Sequence, residues 1–377
     1  MTNSESFTVG IEEEYLIVDM ATMNLVAQMP PDLMRECTEE LGTQVAKEFL
    51  QCQIEVGTKV CNSMQEVRED LAKLRATVSR IARNHDCLLM AASTHPFSYG
   101  LTQLTDDERY LHLAEELRHV VERLYISGMH VHVGISNDEL RIDLMNQASY
   151  FIPHLLSLTT SSPFWRGENT GLKSYRVSVF DQLPRTRLPP VFNSYADYMK
   201  HVDVLVHCGV IEDATKIWWD LRPSWRYPTL ELRICDMCTN IDDTIAVAAV
   251  YRCWLSMLNR LKMKNQRWRA YSDFLIKENR WRAQRYGIDT GLIDFGRREI
   301  VSLKELVEEL IELTEVDAKA LNCVDEVEHV RTILERGTSA HRQIKVYNDS
   351  LESGRPEALA LLDVVKFIVQ ETLVGID

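Results

Sequence analysis

The segment Val9-Gly-Ile-Glu-Glu-Glu-Tyr-Leu-Ile-Val18 carries the pattern on which the fold prediction rests. Successive side chains of a β-strand point to opposite faces, so Glu12 and Glu14 share one face of this segment. Ile11 and Tyr15 share the other face and precede an apolar run. The segment therefore predicts a strand that packs on one side and presents carboxylates on the other.

Further short segments alternate in the same way, and none of them contains lysine. Their polar positions are Gln51, Gln53 and Glu55, then His130 and His132, then Asp220 and Arg222, and finally Glu231 and Arg233. One interpretation is the solvated face of an antiparallel sheet. However, carboxylates that converge on one face repel one another unless a cation lies between them. The pattern favours a metal site, and carboxylates with one imidazole suit Mg²⁺ or Mn²⁺.

The pair His130-x-His132 also allows a second interpretation, a zinc-dependent hydrolase. Such a site needs later histidines and an aspartate at other strand ends. The available later histidines are His154, His201, His207, His329 and His341. None of them follows a recognisable strand, so the zinc hydrolase stays an alternative to the magnesium site.

The composition restricts the classes of partner. The chain has 377 residues, with 42 basic and 56 acidic side chains and a net charge of −14. This charge disfavours nucleic acids and anionic membranes as partners. The first residues lack the pattern of a signal peptide, no segment is long and apolar enough to span a membrane, and the nine cysteines form no disulfide framework. We therefore expect a cytoplasmic protein with free thiols, including those of Cys235-x-x-Cys238.

Three helices are predicted from local sequence patterns. Capping boxes at Ser63-x-x-Glu66 and Ser302-x-x-Glu305 each precede an apolar stripe with helical spacing. Residues 243–261 are apolar nearly all round, which predicts a buried helix. We expect a core over residues 1–300 and a helical C-terminal region over residues 301–377, packed together as one structural unit.

Two arginine-rich segments are candidates for anion binding. Residues 161–187 are rich in Ser, Gly and Arg, and include Arg176, whose guanidinium could bind phosphate or carboxylate. Residues 278–287 place three arginines on a predicted helix. An ordinary polar loop and a solvated helix face remain the alternatives. Neither a Walker A loop nor a G-x-G-x-x-G fingerprint is present, so a nucleotide would have to be held through metal and arginine.

Together these segments resemble the carboxylate–amine ligase family, also called the glutamate–cysteine ligase type 2 family. The resemblance extends in family order over nearly the whole chain. Its motifs are Gly10-Ile-Glu-Glu-Glu-Tyr15, Gln53-Ile-Glu55 with Thr58, Thr94-His-Pro96, His130-Val-His-Val-Gly134, Ser162-Pro-Phe-Trp165 with Thr170-Gly and Ser174-Tyr-Arg176, Trp219-Asp-Leu-Arg-Pro223, Thr229-Leu-Glu-Leu-Arg-Ile-Cys-Asp236, Glu278-Asn-Arg-Trp-Arg282 and Arg336-Gly-Thr-Ser-Ala-His-Arg-Gln343.

The resemblance implies an α+β, glutamine-synthetase-like fold. In that fold a curved antiparallel sheet binds divalent metals and ATP on its concave face, and helices pack behind it. The implied reaction is ATP-dependent, ADP-forming ligation of a carboxylate to an amine through an acyl phosphate. The carboxylate is expected to be the γ-carboxylate of L-glutamate, and the amine L-cysteine, with weak activity, or another amine. No covalent enzyme nucleophile is required.

The site residues follow from the resemblance and the strand faces together. The expected Mg²⁺ ligands are Glu12, Glu14, Glu55, Glu231 and His132, with His130 as the second choice of imidazole. Arg233 and Arg176 are the expected catalytic residues, and Arg222 and Arg233 are expected to bind ATP. Besides the zinc hydrolase, a homologue that binds a nucleotide or metabolite without turnover remains an alternative. A homodimer is the default expectation for a soluble enzyme.

Overall fold

The computed structural model describes residues 5–100 and 102–376. The strands are β1 (Val9–Asp19), β2 (Val45–Lys47), β3 (Gln53–Gly57), β4 (Cys87–Met90), β5 (Met129–Gly134), β6 (Phe164–Trp165), β7 (Glu168–Asn169), β8 (Thr186–Arg187), β9 (Trp218–Trp219), β10 (Leu221–Pro223), β11 (Thr229–Leu232), β12 (Leu292–Asp294) and β13 (Glu299–Val301). The α-helices are α1 (Pro31–Leu41), α2 (Met64–Asn84), α3 (Glu108–Leu117), α4 (Asp138–Ala148), α5 (Ile152–Thr159), α6 (Tyr175–Phe180), α7 (Tyr195–His207), α8 (Ile241–Met263), α9 (Asp273–Tyr286), α10 (Leu303–Ala320), α11 (Val324–Glu328), α12 (Val330–Arg336), α13 (Ser339–Glu352) and α14 (Glu357–Thr372).

An antiparallel sheet organises the fold around β1. In the described residues it has seven strands in the order β10-β11-β5-β1-β3-β2, and β4 also pairs with β1. Strands β5 and β4 follow one another along the same edge of β1, while β3 occupies the opposite edge. The central position of β1 explains why its segment alternates at first and is then buried on both faces from Leu16.

The apolar face of the sheet packs on helices. Ile11 and Tyr15 of β1 are buried on this side, against α2 and α8. Helix α8 is buried nearly all round and also contacts α4, α5, α10 and α11, which makes it the centre of the helical layer. This agrees with the buried helix predicted over residues 243–261. No described helix combines the length and the hydropathy needed to cross a bilayer.

The C-terminal residues form helices that contact the same layer. Helices α10, α11 and α12 pack on α8, and α14 packs on α13 and on β4. The capping boxes are confirmed, because the Oγ of Ser63 accepts from the Glu66 amide and that of Ser302 accepts from the Glu305 amide. The division of the chain at residue 300 stays a prediction.

Two predicted strand boundaries need correction. Gln51 lies before β3, which begins at Gln53, and Arg233 lies just beyond β11, which ends at Leu232. The Arg233 amide instead donates to the carbonyl of Asp220, 2.8 Å away. The position of Arg233 therefore depends on this backbone hydrogen bond, which an alternating sequence pattern does not predict.

Candidate active site

A cavity of about 930 Å³ opens over the polar face of the sheet. Strands β1, β3, β5, β10 and β11 supply its floor. The described lining residues include every site residue expected from the sequence, which are Glu12, Glu14, Glu55, His130, His132, Arg176, Arg222, Glu231 and Arg233.

The register of the strands brings these side chains together. Glu12 pairs with His130 across β1 and β5, and Glu231 pairs with His132 across β11 and β5. Glu14 pairs with Glu55 across β1 and β3. Directly paired residues in antiparallel strands project to the same face, so neighbouring strands contribute one continuous polar surface.

The first ligand group consists of Glu12, His132 and Glu231. One ligand atom from each of these residues lies within 4.8 Å of the others. The Nδ1 of His132 is 2.9 Å from the hydroxyl of Thr229, which fixes the ring orientation. Its Nε2 is buried and lies 3.4 Å from a carboxylate oxygen of Glu12, but it makes no hydrogen bond to any residue that the structure describes. An orphaned imidazole nitrogen beside two carboxylates fits a cation site.

Two guanidinium groups hold Glu231 in place. Arg222 donates from Nε to the Glu231 carboxylate over 2.8 Å, and Arg233 donates to the same carboxylate through a short contact. Burial opposes ionisation, but the charges of Arg233 and Arg222 keep the pKa of Glu231 far below its usual value. Glu231 is therefore a fixed negative charge that also positions both arginines at the cavity floor.

The second ligand group consists of Glu14, Glu48 and Glu55, whose ligand atoms also lie within 4.8 Å of one another. Burial and the neighbouring charge of Glu48 raise the pKa of Glu14 to about 8. The same two causes raise the pKa of Glu55 well above its usual value. Burial and the mutual repulsion of these three half-buried carboxylates oppose their ionisation, and a divalent cation among them would remove that cost.

Glu48 was missed by the sequence analysis. It follows β2, whose Ala46 pairs with Glu55 of β3, so an alternating reading of residues 46–48 places Glu48 on the face of Glu55. That signal was available in the sequence but weak, because β2 is only three residues long.

His130 lies between the two ligand groups and belongs to neither of them. Its Nδ1 is 3.1 Å from Glu12 and its Nε2 is 3.8 Å from Glu14. Burial and the charge of Arg233 lower the pKa of His130 to about 4, so the ring is neutral at pH 7. The neutral ring contacts both Glu12 and Glu14 but adds no positive charge between them.

Arg176 reaches the cavity from α6. Its guanidinium donates to the carbonyl oxygens of Arg233 and Ile234, each over 3.2 Å. A Cβ on Gly128 would overlap this guanidinium, so glycine at position 128 makes room for it. These contacts place Arg176 beneath the backbone that carries Arg233.

Asp236 accounts for the polar side chains at the start of the loop that begins at residue 161. It is fully buried and accepts from the Ser161 amide and from the hydroxyls of Ser162 and Ser174, at 2.7–2.8 Å. The loop thus satisfies a buried carboxylate and holds α6 next to the sheet. Its serines are structural, and the anion-binding interpretation applies only to Arg176.

Asp220 and the arginines of residues 278–287 are occupied elsewhere. Arg280 bridges Asp220 and Asp181, with N–O distances of 2.7 Å to each, and Asp220 is almost fully buried. Arg282 and Arg285 donate to backbone carbonyl oxygens. The arginines of this segment therefore make structural contacts within the protein, and none of the segment's described residues lines the cavity.

The zinc hydrolase interpretation lacks its further ligands. Among the described residues, the cavity lining contains His130 and His132 and none of the later histidines. His154, for example, is buried against the rings of Phe151 and Trp254. Within the cavity the histidine pair lies beside the carboxylates of Glu12 and Glu14.

Comparisons with known proteins identify the family. The family model described as Glutamate-cysteine ligase family 2 matches residues 8–359. A protein of Rhodospirillum rubrum, provisionally named glutamate–cysteine ligase 2, is 55% identical over 373 residues, which cover 98% of this chain and 96% of that protein. A protein of Jannaschia sp. with the same provisional name is 52% identical over 370 residues, covering 98% of this chain and 97% of that protein.

Solved structures share the fold at low identity. A glutamate–cysteine ligase from Francisella tularensis in complex with AMP matches with a TM-score of 0.69 and 15% identity, covering 98% of this chain and 90% of that one. A bifunctional glutathione synthetase from Pasteurella multocida matches with a TM-score of 0.66 and 14% identity, covering 97% of this chain and 52% of that one. These matches confirm the predicted α+β fold. The chain belongs to the glutamate–cysteine ligase family 2, which confirms the resemblance and the prediction of an ATP-dependent carbon–nitrogen ligase.

Proposed function

We propose that this ligase joins the γ-carboxylate of L-glutamate to an amine, with L-cysteine as the first acceptor to test, and that the reaction passes through an acyl phosphate. The observation that carries the proposal is the pair of ligand groups on one sheet face, with Arg233 beside them in one cavity. This arrangement supports phosphoryl transfer because two anions, ATP and a carboxylate, must be brought together there.

The ligand groups would hold Mg²⁺ ions, and Mn²⁺ has the same ligand preferences. Glu12, His132 and Glu231 form one set, and Glu14, Glu48 and Glu55 form the other. Mg²⁺ held there would supply the positive charge that offsets the polyphosphate as it meets the attacking carboxylate.

The arginines act on the charge that moves during transfer. A substrate carboxylate oxygen forms a bond to the γ-phosphorus, and the bond to the β–γ bridging oxygen breaks to release ADP. Arg233 lies beside Glu231 at the cavity floor, where its guanidinium can stabilise the transferring phosphoryl group. Arg222 keeps Glu231 in place, and Arg176 holds the backbone of Arg233. We therefore assign both as positioning residues, whereas the sequence led us to expect ATP binding by Arg222 and a catalytic role for Arg176.

The second half of the reaction forms the amide. The amine nitrogen attacks the acyl carbon, the carbon–oxygen bond to phosphate breaks, and the amine proton leaves to solvent. Inorganic phosphate and the amide are then released. The cytoplasmic location and the homodimer stay predictions.

The acidic face can be tested by single charge removal. Glu12→Gln or Glu231→Gln should lower kcat/KM by about 100-fold, equivalent to about 2–3 kcal/mol of transition-state stabilisation, because each removes a charge from the first ligand group. The measurement is ADP release that depends on both glutamate and cysteine. Glu352→Gln, at an exposed position at the end of α13, serves as the matched control.

The same assay separates the alternatives. Unchanged turnover in both site variants would remove the acidic face from the reaction. Tightly bound zinc and hydrolysis without nucleotide would favour the zinc hydrolase. ATP binding without ADP release, across a panel of amino acids and amines, would favour a homologue without turnover.

A further inference from the structure

The turn that joins β10 to β11 carries two large aromatic side chains at the mouth of the cavity. Trp225 is 45% exposed and Tyr227 is 57% exposed, and both line the cavity. The strand before the turn holds Arg222 and the strand after it holds Glu231. The turn therefore joins the strands that carry Arg222 and Glu231, and it lines the same cavity as the first ligand group.

This turn is held in a fixed position relative to His132. The Ser224 amide donates to the Thr229 carbonyl over 3.0 Å, which closes the turn. The Thr229 hydroxyl lies 2.9 Å from the Nδ1 of His132. The ring of Tyr227 stands perpendicular to the His132 ring, with 6.2 Å between their centroids. The aromatic side chains of the turn thus form a surface that begins beside the His132 ring and continues to the mouth of the cavity.

The opposite side of the mouth is formed by the residues that follow β3. Lys59 and Val60 line the cavity there, and Val60 is 76% exposed. Arg226 adds a second cation between the two aromatic residues. The mouth therefore combines exposed apolar surface with positive charge, which suits a flat heteroaromatic ring that is attached to an anionic chain.

The buried apolar residues of the cavity do not offer such a surface. Leu117, Ile126 and Leu183 line the cavity but are buried within the protein. Among the described lining residues, Trp225 and Tyr227 are the exposed aromatics, because Phe49 is buried and Tyr110, Phe180 and Trp218 are partly covered. A ligand ring can therefore stack at the mouth without displacing protein side chains.

We propose that Trp225 and Tyr227 bind the nucleobase of ATP, with the base stacked on the Trp225 indole and the triphosphate directed past Tyr227 to the first ligand group. This assignment rests on the proposed function, since it takes the phosphates to lie at Glu12, His132 and Glu231. The base does not change during the reaction, so its stacking contributes to binding in the ground state and the transition state equally.

The test compares two ligands that differ in the base. Trp225→Ala should weaken ATP binding about tenfold, the range typical of base stacking on an aromatic side chain. Inorganic tripolyphosphate has no base, so the variant should bind it with unchanged affinity. The KM for ATP should rise while kcat stays unchanged. Tyr227→Ala should act in the same direction, and Trp225→Phe should retain most of the affinity.

Phe274→Ala provides a matched control, because Phe274 is 76% exposed on α9 and does not line the cavity. It should leave both affinities unchanged. If Trp225→Ala bound ATP as tightly as the natural protein does, the nucleobase assignment would be overturned, but the proposed function would not. A parallel loss for ATP and tripolyphosphate would also overturn it, because the turn would then only support the phosphate site. Equal affinities of the natural protein for ATP and for tripolyphosphate would overturn it too, because the base would then contribute nothing to binding. If the natural protein bound neither ligand, the proposed function would be overturned as well.

Discussion

Three consecutive glutamates lie in two different environments, because adjacent strand residues face opposite sides of the sheet. Glu12 and Glu14 line the cavity. Glu13 is fully buried on the other face, where Arg75 donates to it from Nε over 2.7 Å. The hydroxyls of Tyr15 and Thr244 complete its hydrogen bonds. Substitution of Glu13 should therefore affect stability, whereas substitution of its neighbours should affect chemistry.

Arg233→Lys should not preserve activity. The Arg233 guanidinium already donates to Glu231, and its buried Nε has no partner among the described residues, so it can bind a further anion. The ammonium of lysine is a point charge and cannot serve both groups in a planar arrangement. We expect kcat/KM to fall at least about tenfold, as judged from the loss of one stabilising donor.

The comparison for this variant is Arg35→Lys, at an exposed ion pair on α1. It should retain full ADP release under the same conditions. Near-natural activity of Arg233→Lys would exclude Arg233 from phosphoryl stabilisation.

Strand β1 has one face in the cavity and the other in the core. A substitution on the core face should therefore change stability without changing the chemistry of the cavity. Arg75→Met removes the partner of Glu13 and leaves a buried carboxylate without compensation. Loss of one partner of a buried pair typically costs about 3–5 kcal/mol. The urea midpoint should therefore fall strongly, while the activity of the remaining folded protein should change little.

A double variant distinguishes the pair from simple packing. Glu13→Leu combined with Arg75→Met removes both charges and should recover a large part of the lost stability, because no uncompensated charge remains. Arg35→Met, at the exposed pair on α1, should hardly shift the midpoint. If Arg75→Met shifts it no more than Arg35→Met does, the pair does not hold α2 to β1.

At the scale of the whole molecule, the net charge of −14 and the binding of a polyanion are compatible, because Arg222, Arg226 and Arg233 supply positive charge at the cavity. Binding to the native state alone stabilises by about 2.7 kcal/mol when the ligand is at 100 times its Kd. For a chain of this size we expect ATP with Mg²⁺ to raise Tm by about 3 °C.

Removal of the metal provides the control for that shift. With EDTA present, ATP should no longer raise Tm, because its phosphates would meet the uncompensated carboxylates of the ligand groups. Glu12→Gln should also reduce the shift. An equal shift with and without divalent ions, measured by scanning calorimetry, would contradict metal-dependent nucleotide binding.

Much of this site could be predicted from short stretches of sequence. Alternation along a strand depends only on local backbone geometry, so the shared faces of Glu12 with Glu14 and of His130 with His132 followed directly. Glu48 did not, because it follows a three-residue strand whose pattern is too short to interpret. The aromatic turn at Trp225 and Tyr227 was also missed, since an exposed aromatic residue has meaning only when a cavity is known to lie beside it.

The order of amino acids therefore established the strand faces, the residue types suited to a divalent cation and the family to which the chain is similar. The folded chain decided which strands are neighbours, and hence that Glu231 meets His132 while Glu14 meets Glu55 and Glu48. Pairing between distant residues depends on burial and register across the whole sheet. The same burial raises the pKa of Glu14 to about 8, an effect that arises only where the fold excludes water.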